Sequence, residues 1–290
     1  MLPSYVTSDH IREFLDYAFR EDVGDGDHST LAAIPESSRD HASLLMKDDG
    51  IIAGIEAAAQ IIQFYDPRLI MHPLVKDGDP VKYGDVLFTL EGPARSLLTV
   101  ERIILNCMQR MSGIATKTNH LNSLISHTGA KLLDTRKTTP NFRIMEKWAV
   151  FIGGGVNHRF GLYDMIMLKD NHIDYAGGIE KAIAATHEYL SKTGRKLRIE
   201  IETRNLEEVA QVLKIGGVDR IMLDNMSISE MTKAVELIGN RMETEASGGI
   251  TEKTIAAVAE TGVNFISVGA LTHSVRSLDM SLKATESIEK

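Results

Sequence analysis

Leu197-Arg-Ile-Glu-Ile201, Arg220-Ile-Met-Leu223, Met242-Glu-Thr-Glu-Ala246 and Asn264-Phe-Ile-Ser-Val268 begin 22 or 23 residues apart. Between and around these short apolar runs lie segments of helical period, at 179–190, 205–215, 228–239 and 251–261. Strand-length runs alternating with helices are the mark of parallel βα units. Two earlier runs, Lys131-Leu-Leu-Asp134 and Met165-Ile-Met-Leu168, bring the expected strands to six. Each run ends in a polar or glycine tip: Asp134-Thr-Arg-Lys137, Lys169-Asp-Asn-His172, Glu202, Asp224-Asn225, Ser247-Gly-Gly249 and Gly269-Ala270. Functional groups at the carboxyl ends of several strands favour a TIM-like α/β barrel. An open doubly wound sheet would gather its ligands at one switch point. With six runs, the barrel is expected to be irregular or incomplete.

The chain before Lys131 reads differently. Residues 40–54 and 68–92 are strand-rich, with turns at Asp48-Asp-Gly50, Asp77-Gly-Asp-Pro80 and Tyr83-Gly-Asp85. Helices are expected at 9–20, at 55–64 and from Ser96 onward. Ser8 or Asp9 would cap the first, whose apolar face carries Ile11, Phe14, Leu15 and Ala18. The acidic loop Glu21-Asp-Val-Gly-Asp-Gly-Asp27 lacks the closing Glu of a calcium loop and reads as a solvated turn or a substrate-domain loop. This part is α+β and meander-like.

The length of 290 residues suits one large or two modest domains, and 43% hydrophobic content is ample for a core. A net charge of −8 argues against nonspecific nucleic-acid binding, which needs a basic face. The single cysteine, Cys107, sits in an apolar helix-like stretch and reads as a small buried hydrophobe in a reducing compartment. No signal peptide is evident at the N-terminus. No apolar stretch approaches the roughly 20 residues that span a bilayer. A cytoplasmic protein with a small-molecule partner is expected.

Against this acidic background, residues 134–172 carry six Arg or Lys and four acidic residues, a local charge of +2. A cationic island among glycines is what a small polyanion requires, because arginine forks grip carboxylate and phosphate bidentately. Glu200 and Glu202 lie two apart on an expected strand and so share one face. Lys137, Lys169 and Arg136 are their expected partners. Asp224, one strand on, would join Glu202 in holding Mg²⁺, directly or through water. The alternative for these carboxylates is a structural ion-pair network inside the barrel. Ser247-Gly-Gly-Ile-Thr251 follows a strand and opens a helix, offering backbone N–H groups to a phosphate. Gly269-Ala270 is a second such tip. His158 and His172 are candidates for a metal or an anion, but neither has zinc-site spacing. With no Gly-x-Ser-x-Gly elbow and no Walker lysine, a covalent nucleophile lacks a candidate. The set fits transfer of a phosphorylated sugar to an acidic acceptor.

Six blocks of this sequence resemble the quinolinate phosphoribosyltransferase family. They are Glu21–Asp27, Glu101-Arg-Ile-Ile-Leu-Asn-Cys-Met-Gln-Arg-Met-Ser-Gly-Ile-Ala-Thr116, Asp134-Thr-Arg-Lys-Thr-Thr-Pro140, Gly153-Gly-Gly-Val-Asn-His-Arg159, Leu162-Tyr-Asp164 and Leu168-Lys-Asp-Asn-His172. Departures fall at Asn141-Phe-Arg143 and Ile152, where packing rather than chemistry is at stake. The resemblance implies an N-terminal α/β sandwich domain over 1–115, which forms the dimer and on which a tail at 275–290 is expected to pack. A barrel domain follows over 116–274, in a homodimer or larger homo-oligomer. It implies Mg²⁺-dependent phosphoribosyl transfer from 5-phosphoribosyl-1-pyrophosphate to quinolinate with decarboxylation, a step of NAD biosynthesis. By the same resemblance Arg102 reaches quinolinate across the dimer. Thr135, Arg136, His158, Arg159 and Lys169 surround the substrate, and Lys137 reaches substrate or pyrophosphate. Glu202 and Asp224 face ribose and Mg²⁺, and Lys137, Lys169, Glu202 and Asp224 are the expected catalytic groups. Ser247, Gly248, Gly249, Gly269 and Ala270 match the 5′-phosphate loops. Competing readings are a relative acting on another acidic acceptor, a non-catalytic nucleotide-binding regulator and a Schiff-base aldolase at Lys169. Four cations, Arg102, Arg136, Arg159 and Lys169, favour a dicarboxylate.

Overall fold

Thr7 opens the first helix: its hydroxyl accepts the His10 backbone N–H, which sets the cap one residue before Ser8. From there the computed structural model describes residues 3–285. In chain order its elements begin with α1 (Ser8–Asp22), α2 (His28–Ala33), β1 (Arg39–Met46), β2 (Gly50–Ile51), α3 (Ile55–Tyr65), β3 (Ile70–Pro73), β4 (Pro80–Val81), β5 (Val86–Pro93) and α4 (Ala94–Leu124). Then follow β6 (Lys131–Leu133), α5 (Arg143–Ile152), β7 (Ile166–Leu168), α6 (Asp170–Ala176), α7 (Ile179–Thr193), β8 (Ile199–Thr203) and α8 (Leu206–Ile215). The last are β9 (Arg220–Asp224), α9 (Ile228–Ile238), β10 (Glu243–Ser247), α10 (Ile255–Glu260), β11 (Phe265–Ser267), α11 (Ala270–His273) and β12 (Met280–Thr285). No helix among the described residues is long and apolar enough to cross a membrane.

The chain forms two compact units. The first comprises Met1–Asn119, Thr138–Gly154 and Ala270–Lys290; the second comprises His120–Lys137 and Gly155–Gly269.

The first unit is built on an antiparallel sheet in the order β12-β1-β5-β3, with a small β2–β4 pair. Leu44 and Met46 of β1 and Leu87, Phe88 and Leu90 of β5 are fully buried, as are Ala58 and Ile61 of α3. Burying such a set at roughly 25 cal/mol per Å² drives this layer together. The tail contributes β12, which pairs antiparallel with β1 from His41↔Thr285 to Met46↔Met280; residues 286–290 lie outside the described residues. Gly113 of α4 marks where the tail crosses closest, since a Cβ there would stand 2.3 Å from the Arg276 carbonyl oxygen. The acidic loop ends in a cap: Asp27 accepts the backbone N–H and the hydroxyl of Thr30 at the start of α2. Cys107 is buried on α4, and burial pushes its thiol up to about 12, as suits an inert core residue. α5 also belongs to this unit. Its Glu146 is fully buried, bound by Arg110 of α4 at 2.8 Å and by the Thr139 backbone N–H and hydroxyl at 3.0 and 2.9 Å.

The second unit is a six-stranded parallel sheet in the order β6-β11-β10-β9-β8-β7. Its central strands read as continuous apolar runs, with Ile201, Ile221, Leu223 and Ala246 fully buried, because helices cross between successive strands. Local signals start these helices where the sequence places them. Asn205 caps α8, and Ser227 forms a reciprocal capping box with Glu230 on α9. The exception is α10, expected from 251 but beginning at Ile255. There the Thr254 hydroxyl takes the Thr251 N–H and holds the preceding residues in a turn.

The sheet curls. Val156 bridges β6 in parallel on the edge away from β11. In a flat sheet β8 would lie five strand spacings from it, about 24 Å. Yet His158, two residues on, places Nε2 3.0 Å from Glu200 of β8. Only a strongly wound sheet brings them together. Among the described residues no ladder joins β6 to β7, so hydrogen bonding describes a curled sheet rather than a closed barrel.

Candidate active site

Six parallel strands put six carboxyl ends on one rim. Asp134 and Lys169 follow β6 and β7; Glu202, Asp224 and Ser247 stand at the ends of β8, β9 and β10; Gly269 follows β11. The register aligns Asp224 with Ser247 directly. Lys169 Nζ lies 3.9 Å from the Glu202 carboxylate. Burial raises Glu202 above the ordinary carboxylate range, and the Asp224 charge adds to it, against the opposing pull of Lys169. The two carboxylates offer hard oxygens from adjoining strands, the donor type that suits a hard cation.

Beside them stands the cationic wall. Arg159 is half-buried, donating Nη1 to the Met165 carbonyl at 3.1 Å. Burial lowers its pKa below the ordinary arginine value, and the like charge of Arg136 lowers it further. Two guanidinium groups that feel one another's charge form the kind of cationic surface that suits an anion. Arg136 and Lys137 are both exposed. The Thr135 hydroxyl accepts the Lys137 backbone N–H at 3.0 Å and shapes that tip. Asp164 gathers the backbone N–H groups of Phe160 and Gly161, fixing the loop that follows Arg159. Arg102 is exposed on α4, in the first unit.

One layer below the rim the structure departs from the sequence reading. Glu200 does not meet Lys137, Lys169 or Arg136 in its ion pairs. It is fully buried with His158 at 3.0 Å and Arg220 at 4.0 Å. Glu245, also fully buried, takes Arg220 at 2.8 Å and lies 3.4 Å from the same histidine. Arg220 also pairs with Glu243 at 3.0 Å and stacks 4.0 Å from the centre of the Phe265 ring. For Glu200, then, the internal ion-pair network is the correct alternative. The reason is the curl, which carries β8, β9, β10 and the 155–159 segment to one point.

His158 is therefore walled in, with 5% of its side chain exposed. Its Nδ1 accepts the Arg159 backbone N–H at 2.7 Å, which suits a ring protonated on Nε2 alone. Two buried carboxylates at Nε2 pull harder the other way. Burial alone would lower this histidine, but Glu200 and Glu245 outweigh it and hold the ring at about 9. The carboxylates divide. Burial raises Glu200, which His158 and the more distant Arg220 offset only in part. Burial also acts on Glu245, but His158 and the close Arg220 overcome it and hold that carboxyl low. The ligand atoms of His158, Glu200 and Glu245 lie within 4.8 Å of one another. With Arg220 already bound to Glu245, the cluster is neutralised by protein cations. His172 has a local task, its Nδ1 accepting the Lys169 N–H at the start of α6.

Next to Asp224 along the rim lies the glycine tip. Gly248 and Gly249 both have positive φ, 93° and 60°. Because α10 starts only at Ile255, the backbone here is a glycine turn and not a helix terminus. Gly269 closes the second unit, and Ala270 begins α11 in the first.

Four participants had no role assigned from the sequence, although Asp134 and Asn225 stood in its polar tips. Asp134 is fully buried and accepts the His158 N–H at 2.8 Å and the Asn157 amide at 2.6 Å, shaping the segment that carries His158 and Arg159. Arg220 and Glu245 complete the buried layer, and Asn225 touches the glycine tip. Glu243-Thr-Glu245 repeats the period-two spacing of Glu200-Ile-Glu202, and that signal was present in the sequence.

The family model "Quinolinate phosphoribosyl transferase, C-terminal domain" matches residues 114–283, and its N-terminal counterpart matches residues 27–112. Quinolinate phosphoribosyltransferase [decarboxylating] 1b of Nicotiana tabacum is 45% identical over 97% of this chain and 84% of its own. The probable nicotinate-nucleotide pyrophosphorylase [carboxylating] of Bacillus subtilis is 41% identical, covering 97% and 96%. Among solved structures, NadC from Streptococcus pyogenes superposes with a TM-score of 0.89 at 39% identity, covering 97% of this chain and 99% of that one. The nicotinate-nucleotide pyrophosphorylase of Francisella tularensis gives 0.89 at 38% identity, covering 97% and 98%.

Proposed function

The chain belongs to the quinolinate phosphoribosyltransferase family, and from that premise we propose that it joins quinolinate to 5-phosphoribosyl-1-pyrophosphate with loss of CO₂. The products are nicotinate mononucleotide and pyrophosphate. The observation that carries this reading is the rim itself: Lys169 paired to Glu202, with the charge of Asp224 acting on that carboxylate and the charge of Arg136 acting on Arg159.

Arg136, Arg159 and Lys169 hold the two carboxylates of the acceptor and orient its ring nitrogen toward the ribose. That nitrogen attacks C1′ as the bond to pyrophosphate breaks, and the positive charge that develops on the ribosyl centre is stabilised by Glu202 and Asp224. Pre-paid orientation supplies much of the rate, since no protein nucleophile is needed. The pyridinium ring then accepts the electron pair as the adjacent carbon–carboxylate bond breaks, and the vacated carbon takes a proton. Lys137 reaches the departing pyrophosphate. The Ser247–Gly249 tip, with Gly269 and Ala270, receives the 5′-phosphate.

Glu202 and Asp224 are the residues suited to Mg²⁺, through carboxylate oxygens on adjoining strands. When bound, the ion supplies charge neutralisation to the pyrophosphate leaving group. Arg102, exposed on α4, is assigned to the active site of a partner copy in a homodimer.

The test is incubation of the purified protein with quinolinate, 5-phosphoribosyl-1-pyrophosphate and Mg²⁺, read by mass spectrometry. Nicotinate mononucleotide that vanishes when quinolinate or Mg²⁺ is omitted supports the reading. Folded protein that yields none redirects the search to other acidic acceptors.

A further inference from the structure

Asn225 follows Asp224 at the end of β9 and is one of two described non-glycine residues with positive φ, at 53°. Asparagine tolerates this backbone better than most residues, and an isolated instance is usually a turn residue bonding within its own loop. Asn225 does otherwise. Its backbone N–H donates to the Ser247 carbonyl at 2.9 Å, continuing the β9–β10 rung beyond Asp224↔Ser247. Its side-chain amide donates to the Asp224 carboxylate at 2.7 Å. Its carbonyl oxygen lies where a Cβ on Gly248 would sit 2.2 Å away. One residue thus touches the carboxylate on one strand and the glycine tip on the next.

We propose that Asn225 is a positioning residue that locks the Asp224 carboxylate to the Ser247–Gly249 tip, so that the ribose and 5′-phosphate contacts of the phosphoribosyl substrate are set as one unit. The inference rests on the reading of that rim given above. Gly248 is explained by the same contact: its missing side chain and its φ of 93° make room for the asparagine oxygen.

The test uses two variants. Asn225→Gly keeps the left-handed backbone and removes the amide. Asn225→Asp keeps the shape and sets a carboxylate against Asp224. Ribose 5-phosphate and quinolinate, each titrated separately by calorimetry into metal-free protein, probe the two halves of the site. Both variants are expected to bind ribose 5-phosphate about tenfold more weakly, the loss of one charge-assisted hydrogen bond, with Asn225→Asp the weaker. Quinolinate affinity and the thermal midpoint stay near wild type, and in turnover the KM for the phosphoribosyl donor rises more than kcat falls. Wild-type affinity for ribose 5-phosphate in both variants overturns the proposal, as does an equal loss for both ligands. Wild-type protein that fails to bind ribose 5-phosphate instead sinks the phosphoribosyl reading beneath it.

Discussion

Glu200 and Glu202 lie two residues apart on β8 and face the same way, yet they do opposite things. Glu200 is fully buried and sits among His158, Arg220 and Glu245. Glu202 keeps 11% of its side chain open, with Lys169 at 3.9 Å and Asp224 raising its pKa. In the lower layer each charge meets an opposite one. On the rim, like charges feel one another: Glu202 with Asp224, and Arg159 with Arg136. The comparison teaches that one strand can carry both a support and a site. A buried, mutually paired layer holds position, whereas the half-exposed charges above it are open to a ligand.

The rim should fail first in chemistry. Arg136→Ala or Lys169→Ala is expected to cut turnover by about a thousandfold while leaving the fold intact, the scale on which removing a preorganised charge acts. Steady-state kinetics with circular dichroism on the same samples checks it, and near-normal turnover in both folded variants would break the comparison at its upper half. The lower layer should fail in stability. Glu245→Ala breaks the buried 2.8 Å pair with Arg220 and removes one of the two carboxylates at His158, at a cost of about 3 kcal/mol, and the urea midpoint should fall accordingly.

The pH dependence of stability sharpens the contrast further. His158 is raised from its ordinary 6.5 to about 9 in the folded protein. Its contribution is therefore fully present below 6.5 and is lost as pH rises through 9. Urea midpoints measured from pH 6.5 to 9.5 should decline in the wild type, and the decline should flatten in Glu245→Ala. An unchanged slope would detach the histidine from this layer. The smallest effect is expected on the rim. Because the folded environment disfavours ionised Glu202, Glu202→Gln should stabilise the protein by under about 1 kcal/mol at neutral pH while lowering turnover. Loss of stability in that variant would place Glu202 with the supporting charges instead.

Most of the rim was legible because it follows from local rules. Regular spacing pointed to four parallel strands and two earlier apolar runs brought them to six; strand polarity alone then puts Lys169, Glu202, Asp224 and Ser247 on one edge. The partners of Glu200 were not legible, because they depend on how far the sheet winds, and winding is set by packing across many strands. Membership of α5 in the first unit was hidden for a similar reason: its contacts are with distant segments, as where Glu146 meets Arg110, 36 positions away. The late start of α10 hung on one threonine hydroxyl competing with the helix for a backbone N–H. Asn225 was visible as a polar tip, but its left-handed backbone and its reach to Gly248 were not.

The pairing of β12 with β1 carries a consequence for biosynthesis. Residues 39–46 leave the ribosome early, but their partner at 280–285 emerges about 230 residues later. At translation speeds of roughly 5–20 residues per second, one edge of β1 waits on the order of 10–50 seconds for its neighbour. During that interval it is an unpaired strand edge of the kind that invites wrong partners. The first sheet begun is thus completed only after the second, and a chain stalled before residue 280 keeps that edge open.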